Sequence, residues 1–205
     1  MNIRNQRMKL NLIEGAFLDG EFGFPILELT NPVEIDKVQS FNYASSKPDY
    51  DAGLHFYLDD YQFERVWKAP DMYIDMFKKY KCVLGTDFSL FYDLPKALQV
   101  YNIYRNRTLD YYFMKNGVNI IPTVSWGDNT TYEWCFDGIC LGSAVALSTV
   151  GTRKIDNGEM FRQGYEIMKE ILTPTQIICV GKPYDFMKND NVLVFNSFIE
   201  NKGWK

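Results

Sequence analysis

Histidine is almost missing from this sequence, since His55 is the one histidine among 205 residues. The common zinc sites use histidines or several cysteines, so a single histidine cannot anchor one. Ser-His-Asp and Cys-His catalysis are poorly supported for the same reason, because His55 begins a short apolar stretch (55–58) typical of a strand. We therefore predict no zinc site and no nucleophile that a histidine activates.

Cysteine is scarce as well, and its spacing carries no signature. The four residues, Cys82, Cys135, Cys140 and Cys179, show no C-x-x-C pair. Cys82 and Cys179 lie inside apolar runs, where a free cysteine behaves as a small hydrophobic residue. We expect four reduced thiols in a cytoplasm, with a disulfide between Cys135 and Cys140 as the alternative.

An excess of basic charge and a long apolar run are both missing. The formal net charge is −4 and the pI is about 5.1, which excludes the broad basic surface of most nucleic-acid-binding proteins. No run approaches the ~20 apolar residues that a membrane span needs. Residues 1–15 lack the apolar core of a signal peptide. We expect a cytoplasmic protein without a membrane segment.

Internal repeats, low-complexity tracts and linkers are absent, and neither GxxxxGK[ST] nor GxGxxG occurs. No motif therefore fixes a reaction. We predict one domain over residues 1–205, in which an irregular amino-terminal segment (1–50) covers a core of βα units (51–205).

What the sequence does have is apolar and aromatic surface: 46% of its residues are hydrophobic and 16% aromatic, enough to exclude disorder. Short apolar runs alternate with helical patterns, which is typical of βαβ units and a parallel sheet. We predict an α/β fold with a mostly parallel sheet of about five or six strands and flanking helices. It would form a half-barrel (an incomplete TIM-like barrel) or an open sheet, with the amino-terminal segment packed on it.

The longest predicted helix ends at Asn116-Gly117. Leu98, Tyr101, Leu109 and Tyr112 recur on it at steps of three and four, so we expect this stripe to be buried. Arg105 falls on the same stripe. We count it among the ligand-binding candidates, and equally as a buried, structural partner of a carboxylate such as Asp87.

Polar residues follow the predicted strands, and the carboxyl ends of parallel strands meet at one edge of a sheet. Neighbouring carboxylates at such an edge can serve as acid and base, or they can bind Mg²⁺. The sequence therefore does not decide whether the protein uses a divalent metal as a cofactor. The structural alternative is that each aspartate only caps a turn or helix. The catalytic candidates are Asp59 and Asp87; the ligand-binding candidates at the edge are Ser89, Ser125, Trp126, Ser148, Thr149 and Gly151.

Two of these candidates have a specific proposed contact. Trp126, between Ser125 and Gly127, offers a flat ring for stacking on a base or sugar; the alternative is a core position, which is the commoner one for a tryptophan at a strand end. The loop 148–152 could hold a phosphate on its backbone N–H groups, although it matches neither phosphate-binding motif.

Four runs resemble a known family. HFYLDDYQFERVW (55–67), GTDFSLFYDLPKALQVYNIYRNR (85–107), IPTVSWGD (121–128) and CFDGICLGSAVALSTVG (135–151) are similar to domain-of-unknown-function family 4417 of bacteria, phages and other mobile elements. The resemblance covers residues from about 50 to 187 and implies an α/β, barrel-like domain of prokaryotic or phage origin, with no established activity. The expected location is the cytoplasm of a bacterial host cell. The family's motif positions are Asp59, Asp87, Ser89, Asn102, Arg105, Trp126, Asp137, Gly138, Ser148 and Gly151.

Three functions stay open. The first is a small-molecule site at the carboxyl edge of the sheet, with hydrolysis or transfer on a nucleotide-like or glycosidic substrate. The second is a phage accessory protein that binds and inhibits a host defence or replication protein, since aromatic residues favour interfaces. The third, nucleic-acid binding through residues 105–107, conflicts with the acidic pI. A homo-oligomer formed through exposed aromatic residues is a further alternative.

Overall fold

The structure, a computed structural model, describes residues 3–154 and 156–197. Its helices and strands follow the chain in this order: α1 (Ile3–Arg7), β1 (Leu18–Asp19), β2 (Phe24–Pro25), β3 (Val38–Ser40), β4 (Gly53–His55), α2 (Glu64–Lys68), α3 (Ile74–Phe77), β5 (Cys82–Leu84), α4 (Lys96–Lys115), β6 (Ile120–Ile121), β7 (Val145–Ser148), α5 (Glu159–Leu172), β8 (Ile177–Val180) and β9 (Val192–Phe195).

Parallel strands form the centre of the fold. β3 to β6 make a four-stranded parallel sheet and β7 to β9 a three-stranded one, each in chain order. A parallel bridge between Thr123 and Ala146 joins the two. Within the described residues the sheet does not close into a barrel. The predicted α/β class with a half-barrel or open parallel sheet is therefore confirmed.

One parallel strand lies where the sequence analysis expected irregular chain. β3 pairs with β4 at the edge of the sheet, from Val38 opposite Gly53 to Ser40 opposite His55. A strand of three residues is too short to show an alternating pattern in the sequence. It forms because it pairs with β4 in the tertiary structure, and not because of its local preference. The amino-terminal segment also holds the antiparallel pair β1–β2.

The apolar runs are buried on both faces of the sheet, as parallel strands require. Val145 and Leu147 pack toward α5, while Ala144 and Ala146 pack on the opposite face with Ile178. Burying a side chain the size of leucine contributes about 1.5–3 kcal/mol, so these alternating rows hold the sheet between its helices.

The amino-terminal segment runs across the amino-terminal edge of the sheet. Thr30 exchanges hydrogen bonds with Ala144, through its hydroxyl and its backbone carbonyl. The Gln176 side chain accepts from the Val33 N–H at 3.0 Å and donates to its carbonyl at 3.1 Å. Ala144 and Gln176 directly precede β7 and β8, so this segment leaves the carboxyl edge open.

Helix α4 forms where predicted but buries a different face. Leu98 and Tyr101 are 48% and 45% exposed, whereas Asn102, Asn106 and Arg107 are buried. The predicted apolar stripe was therefore wrong for its first half. The reason is that the buried polar side chains of α4 bind the backbone of the strand ends, as described below.

Candidate functional site

A cavity of about 670 Å³ opens at the carboxyl edge of the parallel sheet, within the range of small-molecule sites. Its walls come from the segments that follow β4, β5, β6 and β7, together with the start of α5. Seven predicted site residues line it together: Asp59, Asp87, Ser89, Ser125, Trp126, Ser148 and Gly151. Arg105 and Thr149 do not.

Asp87 lies three residues beyond β5 and lines the cavity. Its half-buried carboxyl group has no hydrogen-bond or ion-pair partner among the described residues. Burial, and next the nearby charge of Asp60, raise the pKa of Asp87 to about 7. A carboxyl group of this pKa can both give and accept a proton near neutral pH.

Phe88 and Ser89, which follow Asp87, each have their backbone N–H and carbonyl hydrogen-bonded to a side chain. Asn106 accepts from the Phe88 N–H at 2.9 Å and donates to the Phe88 carbonyl at 3.3 Å. Asp60 accepts from the N–H and hydroxyl of Ser89, and Asn102 donates to the Ser89 carbonyl at 2.6 Å. The loop that carries Asp87 is therefore fixed although Asp87 itself is free to meet a ligand.

The carboxylate whose charge acts on Asp87 is that of Asp60. Asp60 is bound to Ser89 and contributes to the raised pKa of Asp87. Asp59 is exposed on the cavity wall, where its carboxylate accepts from the Gln62 amide at 3.2 Å. The pairing of Asp59 with Asp87 stays a prediction.

Arg105 is buried and paired, but its partner is Glu64 at 2.9 Å, so the suggested partner Asp87 was wrong. Its guanidinium also donates to Asn102 at 2.6 Å and lies 3.6 Å above the Phe88 ring. Glu64 starts α2, 41 residues away in the chain, which local pattern cannot reveal. These contacts place Arg105 behind the loop that carries Asp87.

Arg107 is fully buried and donates to three backbone carbonyls, those of Thr123, Cys135 and Asp137, at 2.9–3.1 Å. It joins α4 to the end of β6 and to the segment before β7. The guanidinium groups of Arg105 and Arg107 are both buried and bound to protein groups. Nucleic-acid binding through residues 105–107 stays a prediction that these internal contacts do not favour.

The loop after β7 uses its polar groups internally. The buried Thr149 hydroxyl donates to the Lys182 carbonyl at 2.9 Å, which is why Thr149 is not in the cavity. The Ser148 hydroxyl donates to the Val180 carbonyl and accepts from the Val150 N–H. The Thr149 N–H bonds to the Val180 carbonyl. These bonds leave few of the N–H groups that a phosphate would need.

Trp126 is partly core and partly cavity wall. Its ring centroid is 4.9 Å from that of Phe161 and 6.0 Å from that of Phe136. Phe91 and Tyr92, which the sequence analysis did not single out, line the cavity with 58% and 44% of their surface exposed. Trp126 thus packs against the core and also lines the cavity, while its stacking on a base or sugar stays a prediction. Phe91 and Tyr92 offer more exposed rings for stacking.

Two family motif positions serve the amino-terminal hairpin instead of the cavity. Gly138 has φ +79°, and a Cβ there would lie 2.6 Å from the Pro25 carbonyl oxygen. Its N–H donates to the Asp19 carboxylate at 2.9 Å. Burial, and next the charge of Asp19, raise the pKa of Asp137 to about 6.

The polar face of α4 is a signal in the sequence that indicates these contacts. Asn102 and Asn106 are four residues apart, hence on one face of the helix, and asparagine is an unfavourable residue inside a helix unless it binds something. That pattern indicates a buried polar network, but not its partner.

No cluster of three or more cysteine, histidine, aspartate or glutamate residues suited to a metal occurs among residues 3–154 and 156–197. All four cysteines are free thiols, and Cys140 donates to the Leu27 carbonyl. In the same part of the chain, the helices are too short or too polar to cross a bilayer.

Residues 16–198 match the family described as Domain of unknown function (DUF4417). The chain belongs to this family. The match confirms the resemblance and extends it to most of the amino-terminal segment, because it starts at residue 16 rather than near residue 50.

The relatives are phage proteins. The Gene 1 protein of Mycobacterium phage L5 is 43% identical over 131 residues, which is 63% of this chain and 57% of that protein. The Gene 1 protein of Mycobacterium phage D29 is 37% identical over 131 residues, 63% of this chain and 48% of that protein. The chain thus spans about half the length of these relatives. No solved structure matches it.

Proposed function

We propose that the cavity binds a small ligand and that Asp87 acts there as a general acid or base, in hydrolysis or transfer on a nucleotide-like or glycosidic substrate. One observation carries the proposal: an unpartnered carboxyl group with a pKa near 7 lines the cavity on a loop fixed by Asn102, Asn106 and Asp60. Such preorganisation at a functional group is typical of catalytic sites.

In hydrolysis, protonated Asp87 gives its proton to the leaving atom while the bond to the sugar carbon breaks. Water adds to that carbon and loses a proton to a base, for which Asp59 on the cavity wall is the candidate. Because the acid form of Asp87 disappears as pH rises through about 7, the rate should fall over that range.

The decisive test is Asp87→Asn, with Asp75→Asn on the exposed face of α3 as the matched control. The substrate panel consists of the ribonucleosides, their 5′-monophosphates and 4-nitrophenyl glycosides, with released sugar or nitrophenol as the measured product. We expect turnover of at least one substrate, a loss of about 10²–10⁴-fold in Asp87→Asn and none in Asp75→Asn. Undiminished turnover in Asp87→Asn, or no turnover by the wild type, overturns the proposal.

The alternative in which Asp59 and Asp87 bind Mg²⁺ makes a separate prediction. Activity would then disappear with EDTA and return with added Mg²⁺, whereas acid-base chemistry by the carboxyl groups alone is indifferent to both.

The host-protein alternative is favoured by exposed apolar side chains outside the cavity, among which Tyr61 and Met72 are 79% and 78% exposed. A bacterial protein that binds the wild type and no longer binds Tyr61→Asp would support it. In either function, we propose that the protein acts in the cytoplasm of the bacterial host, where its cysteines stay reduced.

A further inference from the structure

Two unpartnered polar side chains from neighbouring strands line the cavity. Asp87 lies three residues beyond β5 and Ser125 four residues beyond β6, and these strands pair directly. The Ser125 hydroxyl is buried and has no hydrogen-bond partner. Since a buried hydroxyl without a partner costs about 1–3 kcal/mol, a ligand that bonds to it would recover that energy.

Part of the cavity lining is apolar. Leu58, Leu90, Val124 and Met160 line the cavity, and the exposed rings of Phe91 and Tyr92 lie on the same lining. Polar side chains of the lining are in part bonded within the protein already, Asn42 to Gln62 and Ser148 to Val180, so a sugar with many hydroxyl groups would find few free partners. A flat heterocycle needs only a few polar contacts at its edge and apolar contacts on its faces.

The charges of the lining do not suit a phosphate. Three lining residues are acids, Asp59, Asp87 and Asp156, and Lys154 is the basic one among those described. Asp156 is committed to the start of α5, because it accepts from the N–H groups of Gly158 and Met160. In the loop after β7, the N–H groups of Thr149, Val150 and Thr152 are bound within the protein.

We infer that the ligand is a nucleobase or an unphosphorylated nucleoside, held by the polar edge of its base on Asp87 and Ser125 and by its face on Phe91 or Tyr92. The inference rests on the proposed function, because it concerns the same cavity. It narrows the substrate class from nucleotide-like or glycosidic compounds to nucleobases and nucleosides. A carboxylate accepts from an exocyclic amine or ring N–H, while a hydroxyl donates to the adjacent ring nitrogen or carbonyl.

Isothermal titration of the full chain tests the inference with adenosine, cytidine, guanosine and uridine, against their 5′-monophosphates and free ribose. We expect at least one nucleoside to bind, its monophosphate to bind about tenfold or more weakly, and ribose not to bind. Asp87→Asn should weaken binding about 10- to 100-fold, and Ser125→Ala about 3- to 10-fold. Phe91→Ala should weaken it about 5- to 100-fold, the range measured for stacking of a base on an aromatic ring.

Asp75→Asn and the exposed Ser46→Ala are the matched controls and should bind as the wild type does. Tighter binding of a monophosphate than of its nucleoside overturns the inference, and so does nucleoside binding that Ser125→Ala leaves unchanged. Asp87-dependent cleavage of a 4-nitrophenyl glycoside without nucleoside binding overturns the inference but leaves the proposed function standing. Nucleoside binding without any turnover overturns the proposed function and leaves the inference about the ligand standing.

Discussion

Asp87 and Asp110 are carboxyl groups with similar proton affinity and different positions. Burial raises the pKa of each to about 7. Asp87 lines the cavity, whereas Asp110 lies on α4 against the backbone of Gly85 and is fully buried. The raised pKa of Asp110 therefore bears on stability, and that of Asp87 on ligand chemistry.

Asp110→Asn should stabilise the protein at high pH. The usual pKa of an aspartate is 3.8, so folding favours the protonated form of Asp110, and its contribution to stability is lost as pH rises from about 4 through 7. Asparagine stays neutral. We expect the variant to exceed the wild type at pH 8.5 by on the order of 1–4 kcal/mol in free energy of unfolding, and by much less at pH 5.

Urea unfolding at the two pH values measures this difference, with Asp75→Asn as the control. His55, whose pKa burial lowers to about 4, has the opposite effect on stability, but it is present in both proteins and cancels. The same difference at pH 5 and pH 8.5 would contradict the assignment.

At the scale of elements, α5 and the end of β6 fit together through a glycine. A Cβ at Gly164 would lie 2.2 Å from the indole atoms Cδ1 and Nε1 of Trp126. The missing side chain thus allows the indole to lie on the helix, with Phe161 beside it. This contact sets the position of one wall of the cavity.

Gly164→Ala should destabilise the protein although alanine is the better helix former. The alanine preference is worth about 0.5–1 kcal/mol, while forcing a methyl group into packed atoms costs about 1–3 kcal/mol. We expect a net loss of on the order of 1–2 kcal/mol in urea unfolding and a changed near-ultraviolet circular dichroism spectrum.

The neighbouring exposed change Gln163→Ala should show neither effect. Trp126→Leu, which shortens the opposing side chain, should make the Gly164→Ala change less costly in the double variant. A stabilised Gly164→Ala variant would show that the indole moves freely.

At the scale of the whole molecule, the two edges of the sheet have different roles. The amino-terminal edge is closed by residues 30–35, while the carboxyl edge holds the cavity. Parallel strands separate these two tasks because all of their carboxyl ends lie on one side. The family match from residue 16 onward includes both edges.

Gln176→Leu should loosen the amino-terminal segment. The substitution leaves the Val33 N–H and carbonyl without their partner, so we expect a loss of about 1–3 kcal/mol in free energy of unfolding. Limited proteolysis should cut residues 16–50 faster. The control is Gln163→Leu on the exposed surface of α5. Equal protease resistance of the two variants would contradict a stabilising role of the Gln176–Val33 hydrogen bonds.

The sequence by itself determined the α/β class, the position of most parallel strands and the edge at which polar residues gather. These follow from apolar runs of strand length and from parallel connectivity, both local or nearly local properties. They were enough to bring Asp87, Ser125 and Ser148 to one cavity.

Only the tertiary structure decided which side chains meet. Asp60 is bound to Ser89, 29 residues away, and its charge acts on Asp87. Asn106, 18 residues from Phe88, holds the loop after Asp87, and Arg105 pairs with Glu64, 41 residues away. Hydrogen-bond partners across such distances depend on how helices are rotated against the sheet, which hydrophobic periodicity does not specify when the buried face is polar.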